Sequence, residues 1–230
     1  MVHSHNDYNQ DPPFWSAYSS GVNSLEVDVF LKNGVLYVTH DEGGIIQERT
    51  LEELYLKPLQ EQYGTTKKIQ DPREVQQLQI LIDLKSKAAI SLDVLVNLLS
   101  HYTELTSHHK LRFVISGNRP EPEKYSSYPG FIWFDHQDLS PISEQAMKKV
   151  AMISMNFRQF SSWDGNGEMT ADEIEAIEHA INTAQKYQKP FRFWATPDDK
   201  SAWETFARLG VSYINTDQPY QCVQFVASLK

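Results

Sequence analysis

Short apolar runs bounded by polar or turn residues recur along the chain, at Leu25–Phe30, Val35–His40, Ile80–Lys85, Leu111–Ser116, Phe131–Phe134, Ala151–Asn156, Phe191–Ala195 and Tyr213–Thr216. They are rich in β-branched and aromatic residues and too short for helices, so they predict strands, most of them buried on both faces. Between them the apolar period lengthens. Leu92, Leu95, Val96, Leu99 and Tyr102 form one helical stripe, and Ile174, Ile177 and Ile181 form another. The second opens on a capping box, Thr170-Ala-Asp-Glu173, and a further helix over Lys200–Leu209 stops at Gly210. This alternation predicts a parallel sheet with helical crossovers, and no linker or repeat divides the 230 residues. Two stretches depart from it. Lys32-Asn33-Gly34 predicts a hairpin joining two strands. The long segment 42–79 predicts a loop with a short helix at Leu51–Tyr55, placed to shape a site mouth.

Charge and composition narrow the function. The formal net charge of −9 offers no basic footprint for a nucleic-acid backbone, so no nucleic-acid partner is expected. No apolar run reaches the roughly 20 residues that span a bilayer. Cys222 is the single cysteine, which excludes an intramolecular disulfide. Met1-Val2 leads directly into His3 and leaves almost no residues for a first strand. A leader removed ahead of Met1 would make the protein extracytoplasmic, either periplasmic or secreted.

Four clusters carry candidate chemistry. The chain opens on His3-Ser-His5-Asn6-Asp-Tyr8. Glu26 and Asp28 lie two apart in an apolar strand and so share a face; two such carboxylates repel unless a cation sits between them. An all-oxygen site suits a hard divalent cation, Mg2+ or Ca2+. A third cluster ends a strand in His40-Asp41, and a fourth sets Asp83 and Lys85 on one face of Ile80–Lys85. Asp164-Gly-Asn-Gly-Glu168 lacks the glycine and carboxylate spacing of a calcium loop and is expected to be a βα loop over the site.

In this order the clusters resemble the glycerophosphodiester phosphodiesterase and phosphatidylinositol-phospholipase-C-like superfamily. Ser24-Leu-Glu-Val-Asp28 is similar to its Glu-x-Asp strand, and Ile82-Asp83-Leu-Lys85 to the corresponding strand of sphingomyelinase D. Phe193-Trp194-Ala-Thr196 and Gly210-Val211 through Thr216-Asp217-Gln-Pro219 resemble its closing motifs. The opening His-Ser-His-Asn-Asp-Tyr is closest to the altered-inheritance-of-mitochondria group and its bacterial relatives. The resemblance implies a single (β/α)8 TIM barrel of the phospholipase-C-like phosphodiesterase type over residues 1–230. It further implies metal-dependent hydrolysis or cyclising cleavage of a glycerophosphodiester-like or phospholipid-derived diester. One Mg2+ or Ca2+ would be held by Glu26, Asp28 and Asp83. His3 would act as general base and His40 as general acid, with Lys85, Trp194, His5 and Asn6 around the substrate. Ser4 stands where many members carry a phosphate-binding Arg, and Arg119 is the residue expected to replace that cation.

Two rivals remain at the level of sequence. His3-x-His5 also fits a zinc-dependent barrel hydrolase, for which His136 is the best further ligand. A catalytically inactive ligand-binding barrel is the other.

Overall fold

The structure is a computed structural model that describes residues 1–64 and 76–229. The strands are β1 (Val2–Ser4), β2 (Ser24–Lys32), β3 (Val35–Val38), β4 (Leu78–Leu84), β5 (Leu111–Gly117), β6 (Ile132–His136), β7 (Val150–Asn156), β8 (Phe191–Trp194) and β9 (Ile214–Thr216). Every strand predicted from the sequence is present with ends shifted by a few residues, and β1 is added. The helices are α1 (Trp15–Ser20), α2 (Lys57–Tyr63), α3 (Ala88–Ser100), α4 (Thr103–Thr106), α5 (Glu144–Met147), α6 (Ala171–Lys186), α7 (Lys200–Leu209) and α8 (Pro219–Ser228).

Among the described residues the sheet runs β8-β7-β6-β5-β4-β2-β1-β9, all parallel, with β3 antiparallel on β2. Arg192 bridges to Tyr213, and Ser212 donates its backbone N–H to Phe191 O at 2.9 Å, so the two ends of the sheet nearly meet. The result is a nearly closed eight-stranded barrel. β1 was missed because a three-residue strand has no periodicity to read. It forms because it fits between β2 and β9, pairing His3 with both Ser24 and Asn215.

The hairpin is as predicted. Lys32 pairs with Val35, and the two turn residues Asn33 and Gly34 take φ of 51° and 79°, the left-handed values a type I′ turn requires. The segment after it differs from expectation. Asp41 caps a short turn, and then a π-helical turn over Glu52–Leu56 runs directly into α2. Tyr55, Leu56 and Leu59 are buried, so this stretch is a helix packed on the core. The rest of that segment, 65–75, lies outside the described residues. The capping box at Thr170 and the Gly210 stop, at φ 87°, are both formed.

Two apolar clusters divide the interior. The larger lies between strands and helices. The smaller, Leu81, Val114, Ala151, Met152 and Tyr213, fills the barrel from below. Leu81 alternates with Asp83 on one face of β4, so the lumen is apolar beneath and acidic at the C-terminal mouth, where barrel enzymes build their sites.

Candidate active site

Register brings the acids together. Asp28 on β2 pairs with Asp83 on β4, and neighbouring parallel strands lie about 4.8 Å apart, so the two carboxylates project side by side into the mouth. Glu26 sits two residues below Asp28 on the same face. Ligand atoms of Glu26, Asp28 and Asp83 all lie within 4.8 Å of one another. Of the described residues only these three make such a group, and it contains no histidine.

Each carboxylate has one oxygen pinned. Asp28 Oδ2 accepts from His40 Nδ1 at 2.7 Å and from Tyr8 OH at 2.9 Å, with Lys85 Nζ at 3.3 Å. Asp83 Oδ2 pairs with Lys85 Nζ at 3.2 Å. Glu26 Oε2 accepts from Arg192 Nη1 at 2.7 Å. The buried Asp28 Oδ1 and Asp83 Oδ1 have no hydrogen-bond partner, and Glu26 Oε1 has only His5 Nε2, at 3.9 Å. Buried carboxylate oxygens are rarely left unpaired. Unpaired anionic oxygens gathered in one place fit a hard divalent cation. Gly117 makes room for this: its φ is +65°, and a Cβ there would overlap Asp83 Oδ1 and crowd Leu84 O. The charges agree with such a site. Burial and the neighbouring Glu26 push Asp83 up to about 6, against the pull of Lys85. Burial also works against ionised Glu26, but Arg192 and His3 outweigh it and hold that carboxyl below its usual range.

A cavity of about 600 Å³ opens over the acids, lined by His5, Asn6, His40, Lys85, Arg192 and Trp194 among others. Two imidazoles flank it, and each is held at Nδ1 by an aspartate. His40 rests on Asp28, while His5 rests on Asp217 at 2.8 Å. An Nδ1–H donated to a carboxylate fixes the tautomer and leaves Nε2 for chemistry. The His40 side chain is 68% exposed, open to an incoming substrate. Burial opposes the charged form of His5, but Asp217 and Glu26 outweigh it and raise its pKa. Asn6, in the left-handed conformation that asparagine tolerates, turns the chain just after His5.

Three expectations are corrected. His3 does not line the cavity. It is fully buried beneath His5, with Nδ1 2.8 Å from Ser24 Oγ and Nε2 2.5 Å from Arg192 Nη1. Burial and the Arg192 charge lower its pKa to about 4, so it is neutral at ordinary pH. Arg119 lines a neighbouring cavity instead and donates to Gln137 Oε1 at 2.9 Å. The 164–168 loop lies away from the mouth; Gly167 and Glu168 line a separate cavity with Ile174 of α6 and Thr205 of α7. His5, Asn6, His40, Lys85 and Trp194 all line the cavity over the acids.

Sequence reasoning missed Arg192, Asp217 and Tyr8. Asp217 stood within a quoted closing motif and Tyr8 within the opening one, so signals for both were present. Arg192 had only its position between two phenylalanines of an apolar strand. Missed as well was Asp7, a buried carboxylate that accepts from Phe14 N at 2.8 Å, Tyr55 OH at 2.9 Å and Ser4 Oγ at 3.0 Å. It ties the loop after β1 to the helical segment after the hairpin.

Comparison with known proteins agrees with this geometry. Residues 1–111 match the model of the AIM6-like phosphodiesterase domain, and residues 190–220 match that of the glycerophosphoryl diester phosphodiesterase family. The chain thus resembles AIM6-like phosphodiesterases over its first half and glycerophosphoryl diester phosphodiesterases near its end. It is 26% identical to the altered inheritance of mitochondria protein 6 homolog of Arthroderma benhamiae, covering 94% of its own length and 80% of the relative's. It is also 26% identical to the Kluyveromyces lactis protein 6, over 94% and 70%. Among solved structures it resembles a glycerophosphodiester phosphodiesterase from Parabacteroides distasonis, with TM-score 0.62 and 15% identity over 99% and 97% of the two chains. An Oleispira antarctica phosphodiesterase in complex with the product sn-glycerol-3-phosphate aligns with TM-score 0.56 and 14% identity over 99% and 96%. At these identities the structural likeness establishes the fold.

Proposed function

We propose that this protein hydrolyses or cyclises a phosphodiester, using a divalent cation bound by Glu26, Asp28 and Asp83 and acid–base catalysis by His5 and His40. The observation that carries the reading is the pair of Asp-held imidazoles flanking one cluster of unpaired carboxylate oxygens. Phosphoryl transfer needs one group to take a proton from the attacking hydroxyl and another to give one to the leaving oxygen. Two histidines with free Nε2 atoms on one cavity supply that pair. The cation, Mg2+ or Ca2+ by its oxygen donors, would act as a Lewis acid on a phosphoryl oxygen. Lys85 adds a fixed positive charge beside the phosphate, and Trp194 walls the cavity.

His3 takes a different part from the one its position suggests. Neutral and buried, it packs Arg192 against Glu26 and so sets the floor of the site. The zinc reading loses support here, because a guanidinium sits against His3 Nε2 where a metal shared with His5 would bind. His136 offers it no help, being buried with both ring nitrogens unpartnered and outside the cavity lining. The glycerophosphodiester phosphodiesterases among the solved structures it resembles favour a glycerophosphodiester as the first substrate to try. Assaying a panel of phosphodiesters with added Mg2+ or Ca2+ tests the reading; no turnover of any member, by protein that binds the cation, would remove it.

A further inference from the structure

The cations expected around one phosphate are divided between two cavities. Beside the catalytic cavity lies another of about 550 Å³, lined by Phe30, Lys85, Ser86, Lys87, Asn118 and Arg119 among others. Lys85 and Asn118 line both, and so form a common wall. Three of the lining residues are cationic and none is acidic, in a chain whose net charge is −9. The first turn of α3, which begins at this cavity with Ala88, carries no acidic side chain to neutralise them.

The three cations are differently placed. Lys85 is committed to Asp28 and Asp83 and marks the boundary with the catalytic cavity. Arg119 uses Nη1 on Gly117 O and Gln137 Oε1 and also hydrogen-bonds the Tyr125 side chain, which fixes it with part of its five-donor fork left over. Lys87 is exposed and makes no ion pair among the described residues. Ser86 Oγ is tied to Leu31 N and Ser91 Oγ, and Asn118 Nδ2 donates to Ser86 O at 3.2 Å, so these two brace the wall. A free lysine and an arginine fork around an open space of this size suit a phosphoryl group, whose several oxygens can each accept.

We propose that this side cavity binds a second phosphoryl group on the substrate, so that the preferred substrates are phosphodiesters whose alcohol arm also bears a phosphomonoester. The assignment rests on the phosphodiesterase reading for its first half only. The diester phosphate lies over Glu26, Asp28 and Asp83, and the second phosphate lies across the Lys85–Asn118 wall against Lys87 and Arg119. Charge-assisted hydrogen bonds are stronger than neutral ones, so losing one of these cations weakens the doubly phosphorylated substrate by about tenfold or more.

A matched pair of p-nitrophenyl phosphodiesters, one with a plain diol arm and one whose arm ends in a phosphomonoester, tests this in the metal-loaded protein. Wild type is expected to show a kcat/KM about tenfold higher on the second. Lys87→Glu and Arg119→Gln should each erase that preference while leaving the plain diester within about threefold. Equal kcat/KM on the pair in wild type would overturn the proposal, as would a proportionate loss on both substrates in the variants. If neither diester is cleaved, the phosphodiesterase reading falls by itself. Titration with glycerol 2-phosphate then decides the cavity: binding about tenfold weaker in Lys87→Glu supports it, and equal binding rejects it.

Discussion

Arg192 on β8 reaches across the barrel to donate to Glu26 Oε2 at 2.7 Å, and so pins one oxygen of an acid whose other oxygen faces the cavity. Both side chains are almost fully buried. Removing one partner of such a pair leaves an uncompensated charge, typically at a cost of 3–5 kcal/mol. Arg192→Met should therefore lower the unfolding free energy by about that much, measured by urea denaturation without metal. Arg192→Lys should cost less, since a charge remains. A Met variant as stable as wild type would show that the pair does not hold the floor of the site.

The two N-terminal histidines should separate cleanly. His5→Gln is expected to reduce turnover on an accepted diester by about 10²-fold or more, with little change in stability, because His5 faces the cavity. His3→Ala should instead destabilise the fold by roughly 2–4 kcal/mol, since it empties a buried position and strips partners from Ser24 and Arg192. Paired measurements of kcat and of denaturation midpoint check this. A His3 variant with a native midpoint and no turnover would return the catalytic role to His3.

Metal affinity should depend on pH through Asp83. Its folded pKa of about 6 lies above the ordinary 3.8, so without metal the carboxyl holds a proton below pH 6 that the cation must displace. Affinity should be nearly flat above pH 6 and fall by about tenfold for each unit below it. The sign for folding is the reverse of the usual acid case. Asp83 favours the metal-free fold below pH 3.8, and that contribution is lost as pH rises to 6. Calorimetric titration with Mg2+ and Ca2+ from pH 5 to pH 8 measures the dependence, and Asp83→Asn should abolish both it and most of the affinity.

Asp7 is expected to matter for stability alone. Asp7→Ala leaves Phe14 N–H, Tyr55 OH and Ser4 OH without their acceptor inside the protein, so a loss of about 2–4 kcal/mol should appear in denaturation. Turnover at temperatures where the variant stays folded should remain near normal.

What the sequence revealed and concealed follows from how local each feature is. Glu26 with Asp28, and Asp83 with Lys85, are spaced by the two-residue period of a strand, so their shared faces could be read directly. The Asn33-Gly34 turn and the Thr170 cap depend on neighbouring residues and were equally legible. His3 and His5 have the same spacing, and both point to one face. Their difference in depth is set by the pairing of β1 with β2 and β9, which no local pattern records. Arg192 was hidden for a related reason: the partners that make a buried guanidinium tolerable come from β1, β2 and β9. Arg119 followed a strand as a phosphate ligand should, but it lines the side cavity and not the one over the acids.

The central claim is tested most directly by following a phosphodiester panel headed by glycerophosphocholine with phosphorus NMR, in the presence of Mg2+ or Ca2+ and again after chelation. The account predicts conversion of at least one diester to a monoester or cyclic phosphate, its loss on chelation and recovery when the cation is restored. It also predicts conversion slowed by about 10²-fold or more in Asp83→Asn and in His40→Ala. Conversion that persists in the chelated protein, or that runs at the wild-type rate in either variant, would contradict it.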